Sequence, residues 1–287
     1  MSRIAYVNGL YQPLSHAVVH IEDRGFQFGD GIYEVWAILD GRLADFDGHM
    51  ARLGRSLHEL RIDAPMGERA LKHIVREVVR RNRVRHGLAY LQITRGTARR
   101  DHPFPAEGTP PTLVVTAKSL NAAAQSAAAE RGVAVVTQPD IRWGRCDIKT
   151  VNLLPNVLAK QNARERGAFE VFMVDELGLV TEGGSSNAWI VDKDGRLRTR
   201  DIQANILRGI TREAILTLAR EHDLEIDERP FSVDEVKVAR EAFITSASAF
   251  VTPVVSIDGQ KVGDGKPGEV AQRLRQLYLE SARQSAI

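Results

Sequence analysis

The amino-acid sequence predicts an α+β protein. Strand-like apolar runs, several closed by turn dipeptides such as Asn8-Gly9 and Asp40-Gly41, are interspersed with segments whose apolar residues recur at three- and four-residue spacing. The two kinds of segment do not alternate regularly, as they would in a doubly wound sheet. At 287 residues the chain is long enough to form one large or two modest domains.

The first part of the chain contains a hairpin, two amphipathic helices and several strands. Arg52 falls outside the apolar stripe of the first helix. That stripe consists of Met50, Leu53, Leu57 and Leu60. The predicted elements are a hairpin at 4–14, a glycine-punctuated loop at 23–31, a strand at 32–39, helices at 48–61 and 68–82, and strands at 88–94 and 112–117.

An alanine-rich run at 121–130 has almost no large apolar residues and is interpreted as the boundary between domains. We therefore expect a small N-terminal α/β domain at 1–120, a linker at 121–130 and a larger C-terminal domain at 131–287. The predicted elements of the C-terminal domain are strands at 133–137, 169–174, 187–192, 242–246 and 253–257, and helices at 154–166, 210–222 and 267–284.

Composition excludes several classes of function. The formal net charge is only +2, which is too small to indicate a nucleic-acid or anionic-membrane partner. The opening residues have no apolar core of signal-peptide length, and no window approaches the length of a membrane span. Cys146 is the only cysteine, so no internal disulfide is possible and a cytoplasmic location is expected.

Lys149 stands among apolar and small residues in the stretch CDIKTVNLL at 146–154. An unpaired buried ammonium is costly, and desolvation lowers the pKa of a lysine, which makes its amine a usable nucleophile near neutral pH. The alternative is that Lys149 ends a strand and lifts its amine into solvent. Other stretches of the chain bear on this choice.

Two stretches could offer backbone N–H groups to an anion. The stretch LRGITR at 207–212 starts a helix, where free N–H groups and the positive end of the helix dipole can hold a phosphate. The alternative is an ordinary helix start capped by Thr211. The stretch TSAS at 245–248 consists of four small residues at a strand end, which can cradle an anion or merely allow a tight turn.

An acid and a basic loop complete the set. In TEGGSSN at 181–187, Glu182 precedes glycine and hydroxyl residues, as in a polar hairpin loop. The loop 94–105 carries Arg100 and His102, which form either a solvated surface or a site for a carboxylate. An amine, an anion cradle and an acid together match pyridoxal phosphate, which requires a lysine for the Schiff base, a phosphate site and an acidic partner for the pyridine nitrogen.

These stretches resemble, nearly end to end, those of the fold-type IV pyridoxal-phosphate aminotransferases, and most of all the D-amino acid aminotransferases. The lysine stretch, TEG and GITR are typical of the superfamily as a set, whereas YEV at 33–35 and RDH at 100–102 indicate the D-amino acid branch. The similar stretches are DRGFQFGDGIYEV at 23–35, HMARL at 49–53, TRGTARRDHPFP at 94–105, CDIKTVNLLPNVLAKQ at 146–161, VTEGGSSN at 180–187, LRGITR at 207–212 and residues 244–253.

The resemblance implies a role for each residue that matches the family's motifs. Lys149 would form the Schiff base with the cofactor and carry a proton between substrate Cα and cofactor C4′. Glu182 would pair with the pyridine nitrogen, and Leu207 would pack against the ring. The implied phosphate contacts are Arg52, Gly209, the amides of Ile210 and Thr211, and Ser246 with Ala247. The C-terminal domain would therefore bind the cofactor.

Tyr33, Arg100 and His102 resemble the family's trap for the substrate carboxylate, in which the arginine and the histidine come from the neighbouring subunit. The resemblance thus implies a homodimer, no metal, and ping-pong transamination of D-amino acids with 2-oxo acids, for example D-alanine with 2-oxoglutarate. Branched-chain L-amino acid aminotransferases, (R)-amine transaminases and aminodeoxychorismate lyases share the lysine, the glutamate and the phosphate elements, so they stay open as alternatives. So does a non-catalytic phosphate- or nucleotide-binding module, although no GxGxxG or P-loop pattern supports it.

Overall fold

The computed structural model describes residues 3–202 and 205–287, and the chain divides into two compact units. The first unit runs to Asn121 and also includes Ile148–Asn152 and Ser285–Ile287. The second unit consists of Ala122–Asp147 and Leu153–Gln284. This division places Lys149 in the first unit, whereas the sequence-based boundaries had placed all of 131–287 in one domain.

The first unit contains a six-stranded antiparallel sheet, counted over the described residues. Its strands are β1 (Ile4–Val7), β2 (Leu10–Pro13), β3 (Gly31–Leu39), β4 (Arg42–Leu43), β5 (His86–Thr94) and β6 (Thr112–Ser119), in the spatial order β2-β1-β6-β5-β3-β4. β3 and β5 pair along their whole length, from Gly31 opposite Thr94 to Leu39 opposite His86. This long pairing fixes the side chains at the start of β3, where Tyr33 and Glu34 lie.

Two helices, α2 (Phe46–Leu60) and α3 (Glu68–Arg81), supply the other layer of the first unit. Their apolar faces, which the sequence periodicity predicted, join the sheet in one core cluster. Leu53 of α2 and Val75 of α3 are almost completely buried in it together with Trp36 of β3. Full burial of each such side chain contributes about 1.5–3 kcal/mol to folding before conformational entropy is subtracted.

The expected loop at 23–31 contains a short helix, α1 (Arg24–Phe28), so that part of the prediction is wrong. Asp23 caps this helix, since its carboxylate accepts hydrogen bonds from the N–H groups of Gly25 at 2.9 Å and Phe26 at 3.3 Å. Five helical residues are too few to leave a periodic apolar pattern in the sequence.

The lysine segment Ile148–Asn152 lies along the beginning of β3. The N–H of Tyr33 donates to the carbonyl of Lys149 at 3.0 Å, and the N–H of Val151 donates to the carbonyl of Gly31 at 3.1 Å. Ile148 is buried in the core of the first unit. Backbone hydrogen bonds on both sides therefore fix Lys149 beside Tyr33.

The second unit contains a mixed sheet of nine strands, counted over the residues that the structure describes. Its strands are β7 (Val133–Pro139), β8 (Glu170–Val174), β9 (Val180–Gly183), β10 (Asn187–Val191), β11 (Leu197–Thr199), β12 (Ile226–Glu228), β13 (Glu241–Ser246), β14 (Phe250–Ile257) and β15 (Gln260–Lys261). The spatial order is β12-β11-β10-β13-β14-β7-β8-β9, and β15 pairs with β14. Because β10 pairs with β13, Asn187 lies opposite Thr245.

The helices of the second unit are α4 (Ala122–Arg131), α5 (Leu154–Glu165), α6 (Ile210–Glu221), α7 (Val233–Val238) and α8 (Glu269–Ser285). The run expected to be a linker thus forms α4, which suits its alanines because alanine has the highest helix propensity. The sequence analysis missed β11, β12 and α7, which are only three to six residues long. No helix in the described part of the chain is both long and apolar enough to cross a bilayer.

Candidate active site

Lys149 is half-buried in the first unit. Its Nζ lies 4.3 Å from the centroid of the Tyr33 ring, and among the described residues this amine has neither a carboxylate partner nor a hydrogen-bond acceptor. Partly buried lysines are usually paired, because an isolated ammonium loses hydration. An amine that is held in place but not engaged in an ion pair is what an aldehyde-bearing cofactor requires.

Tyr33, at the start of β3, is the side chain nearest to this amine. Its ring stacks on that of Tyr90 with centroids 5.6 Å apart and an interplanar angle of 28°. The Tyr90 hydroxyl donates to Gln92 Oε1 at 2.7 Å, and burial raises the pKa of that hydroxyl. Aromatic stacking on β5 therefore fixes the Tyr33 ring, as expected for a residue that positions a substrate.

Arg52 lies on the buried face of α2, so the expectation that it falls outside the apolar stripe is wrong. Its Nε and Nη2 donate to the two carboxylate oxygens of Glu34, each at 2.8 Å. The Nδ1 of His49 is 2.7 Å from Glu34 Oε2. A bidentate ion pair makes burial of the guanidinium tolerable, which is why a charged side chain can occupy this helix face.

Burial acts to raise the pKa of Glu34, but the Arg52 guanidinium and the His49 hydrogen bond outweigh it and lower that pKa to about 2. Burial lowers the pKa of His49, although Glu34 opposes this effect. We therefore assign a carboxylate, a guanidinium and a neutral imidazole to this group at neutral pH. Arg52 reaches the first unit's interior as a cation with a fixed orientation.

Arg100 and His102 lie on the loop 95–111 between β5 and β6, and both are exposed. The buried Arg24 anchors the loop, because its guanidinium donates to the carbonyl of Asp101 at 2.7 Å and to that of His102 at 3.3 Å. Phe28 lies beside both side chains, with the Arg100 Cζ 5.1 Å and the His102 ring 5.7 Å from its ring centroid. The structure thus holds a cation and an imidazole together on an exposed, anchored loop.

Glu182 is buried at the end of β9 in the second unit, where the sequence analysis expected a loop. Its Oε2 accepts hydrogen bonds from the Asn187 amide at 3.1 Å and from the Leu207 N–H at 3.2 Å. Its Oε1 is paired with Arg142. Burial raises the pKa of Glu182 and the Arg142 guanidinium opposes this, so one cation compensates for the buried carboxylate.

Sequence reasoning missed Arg142 and Asp140. The Arg142 Nε and Nη2 donate to the Asp140 carboxylate at 2.9 and 2.6 Å, and the Thr181 hydroxyl donates to Asp140 at 2.7 Å. Burial opposes ionisation of Asp140, but the Arg142 hydrogen bonds and charge lower its pKa. The guanidinium is therefore fixed by one carboxylate and presented to a second, Glu182.

The start of α6 leaves backbone donors unused. The N-cap is Gly209, which makes no side-chain capping bond, so the alternative of Thr211 as cap is wrong. Ile210 and Thr211 are the first two helical residues, whose N–H groups have no acceptor within a helix, and none is found for them among the described residues. A helix start of this kind favours a phosphate.

Gly209 also sits against Asn187. A Cβ at position 209 would collide with Asn187 Oδ1. The Asn187 amide donates to Glu182 and, at 3.0 Å, to the carbonyl of Leu207. One asparagine therefore links the carboxylate, the Leu207 backbone and the helix start.

Ser246 ends β13, and residues 247–249 form the turn into β14. The Ala249 N–H donates to Ser246 Oγ at 3.0 Å, while no acceptor is found for the Ala247 N–H among the described residues. Pairing of β13 with β10 brings this turn to the same end of the sheet as Asn187. The second unit thus groups Glu182, Leu207, the α6 start and this turn.

These residues fit pyridoxal phosphate. The first unit supplies an amine without an acid partner, and the second supplies a buried carboxylate with backbone donors grouped near it. Glycine at position 209 is needed for the donor set itself, because a side chain there would displace Asn187. The donors match the three requirements of the cofactor: an amine, a phosphate site and a ring-facing acid.

Comparison with known proteins shows the same chemistry. The family model for amino-transferase class IV matches residues 31–257. The D-alanine aminotransferase of Bacillus licheniformis is 44% identical over 96% of this chain and 95% of its own length. That of Staphylococcus haemolyticus is 41% identical over 96% of this chain and 98% of its own length.

Solved structures are similar over the whole chain. The branched-chain amino acid aminotransferase of Escherichia coli superposes with a TM-score of 0.90 at 27% identity, covering 98% of this chain and 95% of that one. A branched-chain enzyme from T.th., solved with pyridoxamine 5'-phosphate, gives a TM-score of 0.88 at 28% identity, covering 98% and 94%. The chain belongs to the class IV aminotransferase family. It is a transaminase that uses pyridoxal phosphate, which confirms the fold, enzyme class and cofactor expected from the sequence.

Proposed function

We propose that this enzyme transfers amino groups between D-amino acids and 2-oxo acids by a ping-pong mechanism. The similarity to D-alanine aminotransferases along nearly the whole chain carries this proposal more than any other observation. D-Alanine and 2-oxoglutarate, giving pyruvate and D-glutamate, are the representative pair. Each half-reaction would use the same residues in opposite directions.

Bound pyridoxal phosphate supplies an aldehyde for the amino group and an electron-accepting ring. In the proposed mechanism Lys149 holds the cofactor covalently until a substrate amine replaces it. Its freed amine then takes the proton from substrate Cα and delivers it to cofactor C4′. The backbone bonds between the lysine segment and β3 keep the amine in place for both transfers.

Glu182 would accept a hydrogen bond from the protonated pyridine nitrogen and so retain the proton there. The Asn187 amide and the Leu207 N–H orient the carboxylate, and Arg142 keeps it negative. Leu207 would pack against the ring. Such fixed dipoles and charges need no rearrangement during reaction.

The phosphate would be held by the Ile210 and Thr211 amides with Gly209 as cap, and by Ser246 and the Ala247 amide. Unused N–H donors at the α6 start support this assignment. Arg52 is a second candidate contact, and its pairing with Glu34 would fix the direction of the guanidinium. We therefore also propose the larger C-terminal part of the chain as the main cofactor-binding domain.

Tyr33, with Arg100 and His102 of a neighbouring subunit, would bind the substrate carboxylate. The exposure of Arg100 and His102 in the single chain supports their service to a second copy. The first unit also exposes Val18, Ile21 and Phe26, each more than 70% accessible, as a surface that a homodimer would cover. The active site would then be complete only in the dimer.

We also propose a cytoplasmic location. Cys146 is the only cysteine of the chain and is buried, and burial raises the pKa of its thiol to about 11. A thiol of this kind is unreactive and consistent with a reducing compartment.

The substrate assignment is tested with pairs of mirror-image donors. We expect formation of pyruvate from D-alanine and 2-oxoglutarate, with a kcat/KM at least about a hundredfold above that for L-alanine or L-leucine. The solved-structure matches are branched-chain enzymes, which makes L-leucine the decisive competitor. Faster turnover of L-leucine would establish the branched-chain alternative, and (R)-phenylethylamine as the best donor would establish the amine transaminase.

A further inference from the structure

A groove of about 810 Å³ opens on the first unit between α3 and the turn that joins β3 to β4. We call it the basic groove. Its walls carry six arginine and lysine side chains from one short part of the chain: Arg69, Lys72, Arg76, Arg80, Arg83 and Arg85. A volume of this size is typical of sites for small organic molecules.

The charge in the basic groove is strongly one-sided, although the whole chain carries a formal net charge of only +2. Among the described residues that line the groove, Glu77 is the only acidic side chain. That carboxylate is already paired with Arg80 and Arg81, each at 2.7 Å, and these pairs lower its pKa to about 2. Several like charges around one concavity repel each other and attract an anion.

Helix stability does not account for these cations. Arg69 lies in the first turn of α3, where the helix dipole disfavours positive charge. Arg69, Arg76, Arg83 and Arg85 have no ion pair or side-chain hydrogen bond within the part of the chain that the structure describes. Arg83 moreover has φ +53°, a left-handed conformation in which glycine or asparagine costs less.

The basic groove is remote from the substrate-binding residues of the same unit. It lies at the Leu39 end of β3, whereas Tyr33 is six residues nearer the strand's beginning. At about 3.3 Å per residue, six residues of strand correspond to about 20 Å. An anion in the groove would therefore occupy a second site.

We propose that the basic groove binds a small polyphosphate anion. Guanidinium groups match phosphate oxygens with paired N–H donors, and several of them in one concavity favour a ligand with more than one phosphate. Phenylalanine, tyrosine and tryptophan are absent from the described residues that line it, so it lacks the stacking platforms of single-stranded nucleic-acid sites. A nucleoside triphosphate and inorganic triphosphate share the required chemistry.

The test is calorimetric titration of the pyridoxal-phosphate-loaded enzyme with ATP and, separately, with inorganic triphosphate at physiological ionic strength. Loading fills the cofactor's own phosphate site, so binding reports on another site. We expect saturable binding that weakens at least about tenfold in the double variant Arg69→Gln/Arg76→Gln. The control Arg164→Gln removes an exposed arginine of α5 and should leave the affinity unchanged.

The double variant Arg69→Lys/Arg76→Lys retains both charges and should keep most of the affinity, which separates loss of charge from loss of folding. Tighter binding of ATP would identify a nucleotide site, and equal affinities an inorganic polyphosphate site. The proposal is overturned if neither anion binds saturably, or if the glutamine double variant binds as tightly as the unmodified enzyme. It is also overturned if Arg164→Gln loses as much affinity as that double variant.

Discussion

Glu182 is held by side chains and backbone that are distant from it in sequence. Arg142 and Asn187 lie 40 and 5 residues away, and the third donor, the Leu207 N–H, lies 25 residues away. No local pattern marks these partners. Resemblance to a family indicated Glu182 itself, but only the fold shows that Arg142 compensates for its buried charge.

We predict that Arg142→Gln weakens pyridoxal-phosphate binding at least about tenfold, because Glu182 would lose its cation and favour the protonated form. Arg142→Lys, which keeps the charge but not the fork toward Asp140, should lie between the two. The measurement is the dissociation constant from cofactor fluorescence quenching. Arg131→Gln, on the exposed end of α4, is the control, and equal weakening there would contradict the assignment.

Glu34 offers a prediction about stability at acid pH. Its folded-state pKa of about 2 lies below its ordinary 4.5, so its contribution is fully present above pH 4.5 and is lost as the pH falls toward 2. Between pH 6 and pH 3 the loss from this residue is about 2 kcal/mol in the free energy of unfolding. Glu34→Gln should be less stable at neutral pH and should lack this part of the acid dependence.

Urea unfolding at the two pH values measures the effect. The exposed Glu107 is the matched control, and Glu107→Gln should retain the acid dependence of the unmodified chain. An unchanged slope in Glu34→Gln would show that the Arg52 pair does not depress this carboxyl.

At the scale of elements, the sequence predicted those with a long local pattern. The helices at 46–60, 68–81, 154–165 and 210–221 begin and end within two residues of their expected positions, because their apolar periodicity extends over several turns. β9 was taken for a loop because Glu182 and Gly183 interrupt its apolar character. Burial within the sheet of the second unit, which the sequence does not display, allows this strand to carry an acid.

Gly209 tests the link between an element and the site. We predict that Gly209→Ala weakens cofactor binding about tenfold or more, since its Cβ would displace Asn187 and disturb both Glu182 and the α6 start. The control is Gly54→Ala in α2, where a Cβ meets open space and should stabilise the helix by about 0.5–1 kcal/mol. Cofactor affinity and thermal unfolding should be measured together. Unaltered affinity in a folded Gly209→Ala enzyme would contradict the link.

At the scale of the whole molecule, family resemblance predicted the fold and the reaction, and spacing alone did not. A lysine, an acid and two anion cradles lie in separate stretches between residues 149 and 248, and their common purpose is chemical rather than periodic. The exposed Arg100 and His102 pose the question of the second subunit.

We predict that two inactive variants restore each other. In a mixed dimer of Lys149→Ala and Arg100→Ala subunits, one site would combine an intact Lys149 with the partner's intact Arg100. Random reassociation should therefore give about one working site in four. Rates of D-alanine turnover before and after subunit exchange provide the measurement. Absence of recovery, with mixed dimers present, would place Arg100 in its own subunit's site.

The central claim is that the amine of Lys149 carries the cofactor, and borohydride reduction of the loaded enzyme followed by peptide mass spectrometry tests it most directly. Reduction fixes the Schiff base as a stable amine, so the modified lysine can be read from the peptides. The account predicts a single phosphopyridoxyl group on the peptide that contains Lys149. Stoichiometric labelling of another lysine, such as Lys160, with Lys149 unmodified would contradict it.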